Sequence, residues 1–201
     1  MVLSERAQFD LAVRLRGRRG VALGEVFAFV SGLYFKGKLA YALNFARPPY
    51  PGAALTGSGA LVITPTAGLR AVETGVTAEA LIAFAAVDIA ANDPRYSKPL
   101  VASARALHEE IGPECEVVLL VSIASAKYVD VLIEVFGDRL LFPIEFVGRG
   151  DMSRGGLLLR CVRSGEELTY VPVKGAVRHG PRPPKLPPIR GITTEFKIGR
   201  R

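Results

Sequence analysis

Four short apolar segments of this 201-residue chain are each followed by small and hydroxylated residues with a cation nearby. The segments are residues 26–30, 61–63, 117–121 and 144–147. Each has the length and the β-branched or aromatic content typical of a buried strand. Parallel strands gather the loops at their carboxyl ends along one rim of an open α/β sheet, where such folds hold their ligands. The sequence therefore predicts a sheet with an anion-binding rim.

Helical patterns between these segments predict a Rossmann-like α/β fold with a mainly parallel sheet and helices on both faces. Helices are predicted over residues 39–45, over 78–91 with Thr77 as the N-cap, and around 128–135. The clearest amphipathic helix begins at a predicted Ser97 cap. Four apolar residues recur on one face of it: Leu100, Ala104, Leu107 and Ile111.

The C-terminal third of the chain predicts strands with little helix between them. Residues 157–162 and 168–173 are predicted strands, and residues 163–166 are predicted to form the hairpin turn that joins them. Such a hairpin would form an antiparallel C-terminal edge on the sheet. Residues 148–156 contain four glycines and are predicted to form a loop before this hairpin.

Charge and proline content predict three parts of the chain: a basic N-terminal arm at 1–20, an α/β domain at 21–173, and a basic Pro-rich tail at 174–201. Their net charges are +3, −3 and +7. The basic surplus therefore lies at the ends and not in a basic groove, which favours generic contact with polyanions. The alternating apolar residues of the arm fit a short strand or, equally, a short helix.

The composition indicates a folded protein of the cytoplasm. Hydrophobic residues make up 49% of the chain, and this content disfavours disorder. The two cysteines, Cys115 and Cys161, lie in or beside apolar segments and predict buried thiols instead of a disulfide framework. The first residues lack the apolar core of a signal peptide, and no apolar run reaches the roughly 20 residues of a membrane span. We therefore expect a cytoplasmic protein without a membrane partner.

The predicted rim carries ten candidate ligand-binding residues. Cations neutralise an anion, hydroxyls orient its oxygens, and an aromatic ring stacks on a base or sugar. An ordinary turn with solvated lysines is the alternative for residues 31–38, and an internal ion pair between Arg and Asp is the alternative for residues 148–156. The candidates are Tyr34, Lys36, Lys38, Thr64, Ser122, Ser125, Lys127, Arg149, Ser153 and Arg154.

Two carboxylates are the candidates for acid–base work, Asp88 and Asp151. Asp88 stands among Ala, Val and Ile, where a carboxylate needs either a partner such as a nearby Arg or a chemical task. Asp151 stands between the arginines of residues 148–156. His108 and His179 have no Cys or His at ligand spacing, so the sequence predicts no metal site, and it identifies no cofactor.

The sequence predicts a protein that binds a phosphorylated or otherwise anionic ligand, such as a nucleotide or nucleoside derivative, at the carboxyl ends of the parallel strands. Hydrolase or transferase activity on that ligand is left open. The alternative from another class is a nucleic-acid-associated or scaffold protein that acts through its basic termini. A homo-oligomer is also left open.

Overall fold

Helices dominate the computed structural model, which describes residues 2–4, 6–124 and 126–187. Its helices are α1 Asp10–Arg16, α2 Leu23–Val30, α3 Gly32–Phe45, α4 Ala78–Ala85, α5 Pro94–Ile111, α6 Ala126–Phe136 and α7 Asp151–Ser164. Its strands are β1 Val21–Ala22, β2 Leu61–Thr64, β3 Gly68–Ala71, β4 Gly75–Val76, β5 Val117–Val118, β6 Leu140–Pro143 and β7 Tyr170–Pro172. Single 3₁₀ turns form at Gly137–Arg139 and Ile144–Phe146.

The strands form three small sheets, and the predicted Rossmann-like fold is wrong. β1 pairs with β4 and β2 with β3, both antiparallel. β5 lies parallel to β6, which pairs antiparallel with β7. Strands of two to four residues form no extended parallel sheet in the described ranges. The shared rim of strand-end loops predicted for the ligand therefore has no counterpart there.

Residues 26–30 belong to helix α2, so the predicted first strand is wrong. Leu23 and Val26 lie three positions apart on one helical face and are completely buried. Phe29 and Val30 point to the exposed side. Strand propensity reflects the packing environment more than the backbone. Here Val26 of this β-branched and aromatic run packs on the buried face of a helix, while the end of the run is exposed.

Residues 148–164 also differ from the prediction, because most of the expected Gly-rich loop and the whole strand at 157–162 form helix α7. The predicted hairpin turn at 163–166 is the end of this helix. Gly165 there adopts φ 74°, and its N–H bonds the carbonyl of Cys161. This is the geometry of a left-handed helix C-cap. Of the predicted hairpin, β7 at Tyr170–Pro172 forms, and it pairs with β6.

Helix α5 confirms the amphipathic pattern predicted for it. Its buried residues include the four predicted on one face, Leu100, Ala104, Leu107 and Ile111. The helix begins earlier than predicted, because the side chain of Asp93 and not Ser97 caps it by accepting from the backbone N–H of Arg95. The predicted cap of α4 is confirmed, since Thr77 accepts from the N–H of Ala80.

Both ends of the described chain contact the rest of the molecule. In α1, Leu11 and Leu15 lie in a buried cluster with residues of β1, α2 and β2. The Pro-rich segment up to residue 187 runs beside α7, where Arg160 donates to the carbonyl of Pro187. Lys174 and Arg178 pair with Asp138 and Asp130 at 3.3 Å and 3.6 Å. Residues 188–201 of the predicted tail lie outside the described residues.

Candidate ligand-binding cavity

A cavity of about 860 Å³ lies between α3, the β2–β3 hairpin, α5, β5 and α6, and we call it the α3 cavity. Its volume falls within the roughly 300–1,000 Å³ of typical small-molecule sites. Exposed residues such as Arg47, Pro49 and Glu116 form part of its wall, so it reaches the surface. Most of the wall is apolar. Examples are Phe27, Phe35, Leu39, Phe45, Leu61, Ile63, Leu107, Ile111, Val121, Leu132 and Phe136.

Lys38 places a half-buried amine on this apolar wall. Tyr34 and Phe35, four and three residues earlier in α3, share its helical face. The Lys38 Nζ lies 4.5 Å from the centroid of the Tyr34 ring and 5.4 Å from that of Phe35. Two cation–π contacts therefore hold it. No other described residue forms an ion pair or hydrogen bond with Lys38.

Two charged residues of α7 lie close to Lys38 because α7 approaches α3 closely. A Cβ on Gly155 would lie 2.9 Å from the Cα of Tyr34, so a glycine is needed for this approach. The Arg154 guanidinium donates to the carbonyl of Phe146 at 3.2 Å and 3.1 Å and bonds the carboxylate of Asp151 at 3.2 Å. Arg154 therefore holds α7 in place, and three of its five N–H donors are used in these bonds.

The surroundings of Lys38 shift the pKa of its amine. Burial lowers the pKa below its ordinary value, because desolvation disfavours the charged ammonium. Nearby Asp151 opposes the shift and nearby Arg154 adds to it. Asp151 is exposed, with 68% of its side chain accessible. Solvent therefore screens much of its attraction for Lys38, and net positive charge remains at this end of the cavity.

Two phenols on the same wall bond the chain that follows β5. The Tyr34 hydroxyl donates to the carbonyl of Leu120 at 3.3 Å, and the Tyr128 hydroxyl donates to that of Ser122 at 2.9 Å. Burial is the main cause that raises the pKa of both tyrosines. Both phenols are therefore neutral near pH 7 and keep lone pairs that can accept a hydrogen bond.

The cavity also reaches a closed hydrogen-bond network. The Tyr41 and Tyr170 hydroxyls lie 2.6 Å apart, and the Tyr41 hydroxyl also accepts from the backbone N–H of Leu168 at 2.8 Å. The Tyr170 hydroxyl donates to Glu167 at 2.9 Å, and Arg47 pairs with the same carboxylate at 3.3 Å. These groups satisfy one another. Glu114 and Glu116 on the described wall also have no ion pair, but both are exposed to solvent, whereas Lys38 is half-buried.

The structure brings together four of the predicted site residues, namely Tyr34, Lys38, Asp151 and Arg154. Ser122 reaches the group through its backbone carbonyl, which accepts from Tyr128. The ion pair of Arg154 with Asp151 is the structural alternative considered for this stretch, and it forms. These residues meet across α3 and α7 and not at a rim of strand ends.

The other predicted site residues lie apart from Lys38. Buried Thr64 closes the β2–β3 turn, where its hydroxyl bonds Gly68 and Ala67. Asp88 is exposed between α4 and α5, so it is not the buried carboxylate that the sequence suggested. Arg149 donates to the carbonyl of Glu145 and to the hydroxyl of Ser153.

Two lysines that were predicted to bind the ligand also lie outside the lining of the α3 cavity. Lys36 is half-buried on α3, Lys127 is exposed on α6, and neither belongs to the described lining of the α3 cavity. Ser125 lies outside the described residues.

Sequence reasoning missed Phe35, Tyr128 and Phe146 as parts of the site. Phe35 stands three residues before Lys38, so the spacing of aromatic residues and lysine along a helix was an available signal. Phe146 packs edge-on against Tyr34, with ring centroids 6.4 Å apart, and lies 5.6 Å from the guanidinium of Arg154. The contact with Tyr34 spans more than a hundred residues, and no local pattern signals it.

No protein-family model, curated protein or solved structure matches this chain. None of the helices in the described ranges is long and apolar enough to cross a membrane. Across those same ranges no three His, Cys, Asp or Glu side chains gather as metal ligands. The geometry of the α3 cavity is therefore the basis for assigning a function.

Proposed function

We propose that this protein binds an apolar molecule with a single negative charge, whose apolar body fills the α3 cavity and whose charge lies against Lys38. One observation carries the proposal: Lys38 presents a half-buried amine on an apolar wall and has no carboxylate partner among the described residues. A buried charge without a counter-charge is costly, so a bound anion stabilises it.

The charges around Lys38 favour one negative charge over two. Arg154 already pairs with Asp151 and bonds Phe146, so a second negative charge on the ligand would have to compete with Asp151 for this guanidinium. It would also be repelled by the Asp151 carboxylate. A carboxylate therefore suits the site better than a phosphate dianion, and the acyl or ring body of such a ligand suits the apolar wall.

A nucleotide is an anionic ligand too, but it is far more polar than an apolar carboxylate. Its base and sugar need hydrogen-bond partners, whereas the lining residues near Lys38 are mainly rings and aliphatic side chains. Tyr34 offers a ring face, but Lys38 already covers one face of it at 4.5 Å. We therefore expect nucleotides to bind more weakly than apolar carboxylates.

Titration calorimetry with four ligands tests the proposal: dodecanoate, dodecanol, dodecyl phosphate and adenosine monophosphate. We expect dodecanoate to bind most tightly, and Lys38→Met to weaken it about tenfold, equivalent to about 1.4 kcal/mol. Dodecanol should bind both proteins equally. Lys36→Met is the matched control, because Lys36 lies on the same helix and outside the lining. Equal dodecanoate affinity in Lys38→Met and the unchanged protein would refute the proposal.

Nucleic-acid binding through the basic termini is the second candidate function. Arg18, Arg19, Arg182 and Lys185 are exposed, which favours it, whereas Lys174 and Arg178 are paired with aspartates. Binding of this kind weakens steeply with salt. Deletion of residues 174–201, which carry a net charge of +7 against +3 for residues 1–20, should weaken it strongly and leave dodecanoate binding unchanged. Nucleic-acid binding that survives both high salt and the deletion would exclude this candidate.

A further inference from the structure

We propose that the Lys38 amine also acts as a nucleophile, which condenses with an aldehyde or ketone held in the α3 cavity to form an imine. The inference rests on the cavity of the proposed function, but it does not require the ligand to carry a negative charge. It assigns a covalent chemistry to a residue that anion binding alone would use only as a charge.

The position of the amine is the first support. The Lys38 Nζ lies over the Tyr34 ring face, on the cavity wall, and is not engaged by a carboxylate or hydrogen-bond acceptor in the described residues. A cation–π contact binds none of the N–H groups to an acceptor, and it is released when the amine loses its proton and charge. An apolar carbonyl compound that fills the cavity would therefore hold its carbonyl carbon near an amine on the same wall, and such positioning accelerates condensation.

Burial favours the neutral form of Lys38, and the charged groups around it act in opposite directions. Burial is the largest cause and lowers the pKa of the amine, Asp151 raises this pKa, and the Arg154 cation of α7 lowers it by less than Asp151 raises it. Tyr34 of α3 and Tyr128 of α6 have raised pKa values and stay neutral, so they add no negative charge to hold the proton. Desolvation in an apolar pocket is one of the conditions that activate lysine nucleophiles, and it is the one that Lys38 meets.

The chemistry balances without an oxidant or reductant. The nitrogen lone pair attacks the carbonyl carbon, the C=O π electrons move to oxygen, and one of the two nitrogen protons is transferred to that oxygen. In the resulting carbinolamine, the nitrogen lone pair forms C=N as the C–O bond breaks, and the remaining nitrogen proton leaves with the hydroxyl as water. Amine plus carbonyl therefore gives imine plus water. Water or the Tyr128 hydroxyl on the same wall can exchange these protons.

Reductive trapping tests the inference. The full chain is incubated with decanal and cyanoborohydride, which converts an imine to a stable secondary amine, and tryptic peptides are analysed by mass spectrometry. We expect Lys38 to be labelled at least about tenfold faster than Lys36 in the unchanged protein. Lys36 is the internal control, since it lies two residues away on the same helix and outside the lining. Lys38→Met should lose the fast label, and Lys36→Met should keep it.

A pH series separates the two uses of Lys38. Trapping should speed up as pH rises, because more of the amine is neutral, whereas dodecanoate binding should weaken as the ammonium is lost. Excess dodecanoate should slow the labelling of Lys38 and leave that of Lys36 unchanged.

Each outcome of the trapping experiment is decisive. Lys38 labelled no faster than Lys36 would overturn the imine inference, and dodecanoate binding measured on the same protein would show that the proposed function still holds. Fast Lys38 labelling without dodecanoate binding would support the imine inference and contradict the proposed binding of an anionic ligand. If neither fast Lys38 labelling nor dodecanoate binding is observed, the imine inference and the proposed function are both refuted. The comparison within the unchanged protein does not depend on the folding of any variant.

Discussion

Gly37 of α3 and Gly155 of α7 contact each other so closely that a Cβ on Gly37 would lie 2.8 Å from the carbonyl oxygen of Gly155. This contact holds the two helices together backbone to backbone. It also sets the distance of Asp151 and Arg154, on the first turn of α7, from Tyr34 and Lys38 on α3. The site therefore depends on two residues that have no side chain.

We expect Gly155→Ala to lower the free energy of unfolding by about 1–3 kcal/mol, because the new methyl group forces the helices apart. Chemical denaturation monitored by circular dichroism measures the change. Gly156→Ala is the matched control, since its Cβ would have only Leu186 nearby among the described residues, at 4.0 Å. Helix propensity predicts that this control is stabilised by up to about 1 kcal/mol. Equal effects at both positions would contradict the close contact.

Lys38→Met should raise the free energy of unfolding at pH 7 by about 1 kcal/mol, because it removes a half-buried charge and retains an apolar chain. The lost cation–π contacts keep the gain small. The pKa of Lys38 is lowered on folding, so the penalty is fully present below the folded pKa. This penalty is relieved as the pH rises toward 10.5, the ordinary pKa of a lysine side chain. The advantage of Lys38→Met should therefore shrink over that window, and an advantage that grows with pH would have the wrong sign.

Tyr96→Phe should stabilise the protein by about 1 kcal/mol, because the Tyr96 hydroxyl is buried and has no hydrogen-bond partner among the described residues. Burial raises the pKa of Tyr96 to about 12 from an ordinary 10.0. The unfolded chain loses this proton first, so stability falls as pH rises above about 10. Tyr96→Phe should flatten that fall in denaturation curves recorded from about pH 8 to 11.

Tyr41→Phe is the control for Tyr96→Phe. Its hydroxyl lies 2.6 Å from that of Tyr170 and accepts from the N–H of Leu168. Removal should cost about 1–2 kcal/mol at pH 7, because the Leu168 N–H is left without its acceptor. Opposite signs for the two variants are the expected result, and stabilisation by both would refute the hydrogen-bond assignment.

Arg154→Lys should destabilise the protein by about 1.5–3 kcal/mol, even though the charge is conserved. A lysine cannot reproduce the guanidinium geometry that bonds the Phe146 carbonyl twice and Asp151 once. Asp151→Asn is the comparison, because this carboxylate is exposed, and an exposed ion pair is worth under about 1 kcal/mol. Thermal and denaturant unfolding measure both. A larger loss for Asp151→Asn would show that the ion pair outweighs the Phe146 bonds.

The sequence determined those parts of the molecule where local physics is sufficient. Helix α5 follows from apolar residues at a 3.6-residue period, and the α4 cap follows from a hydroxyl that accepts a free backbone N–H. Short apolar runs carry no such period, so residues 26–30 fit a strand and a helix equally well. Their helical state was decided by burial of Leu23 and Val26 against other segments.

Only the tertiary structure decided the site. Glycines at 148–156 predict a loop when read alone, because glycine weakens a helix, yet Gly155 lies inside α7 where only a glycine allows the approach to Gly37. The sequence supplied Tyr34 and Lys38 on one helix and Asp151 and Arg154 on another. Their meeting beside an apolar cavity depends on contacts between residues more than a hundred positions apart. Such contacts arise from packing of the whole chain, and local patterns do not encode them.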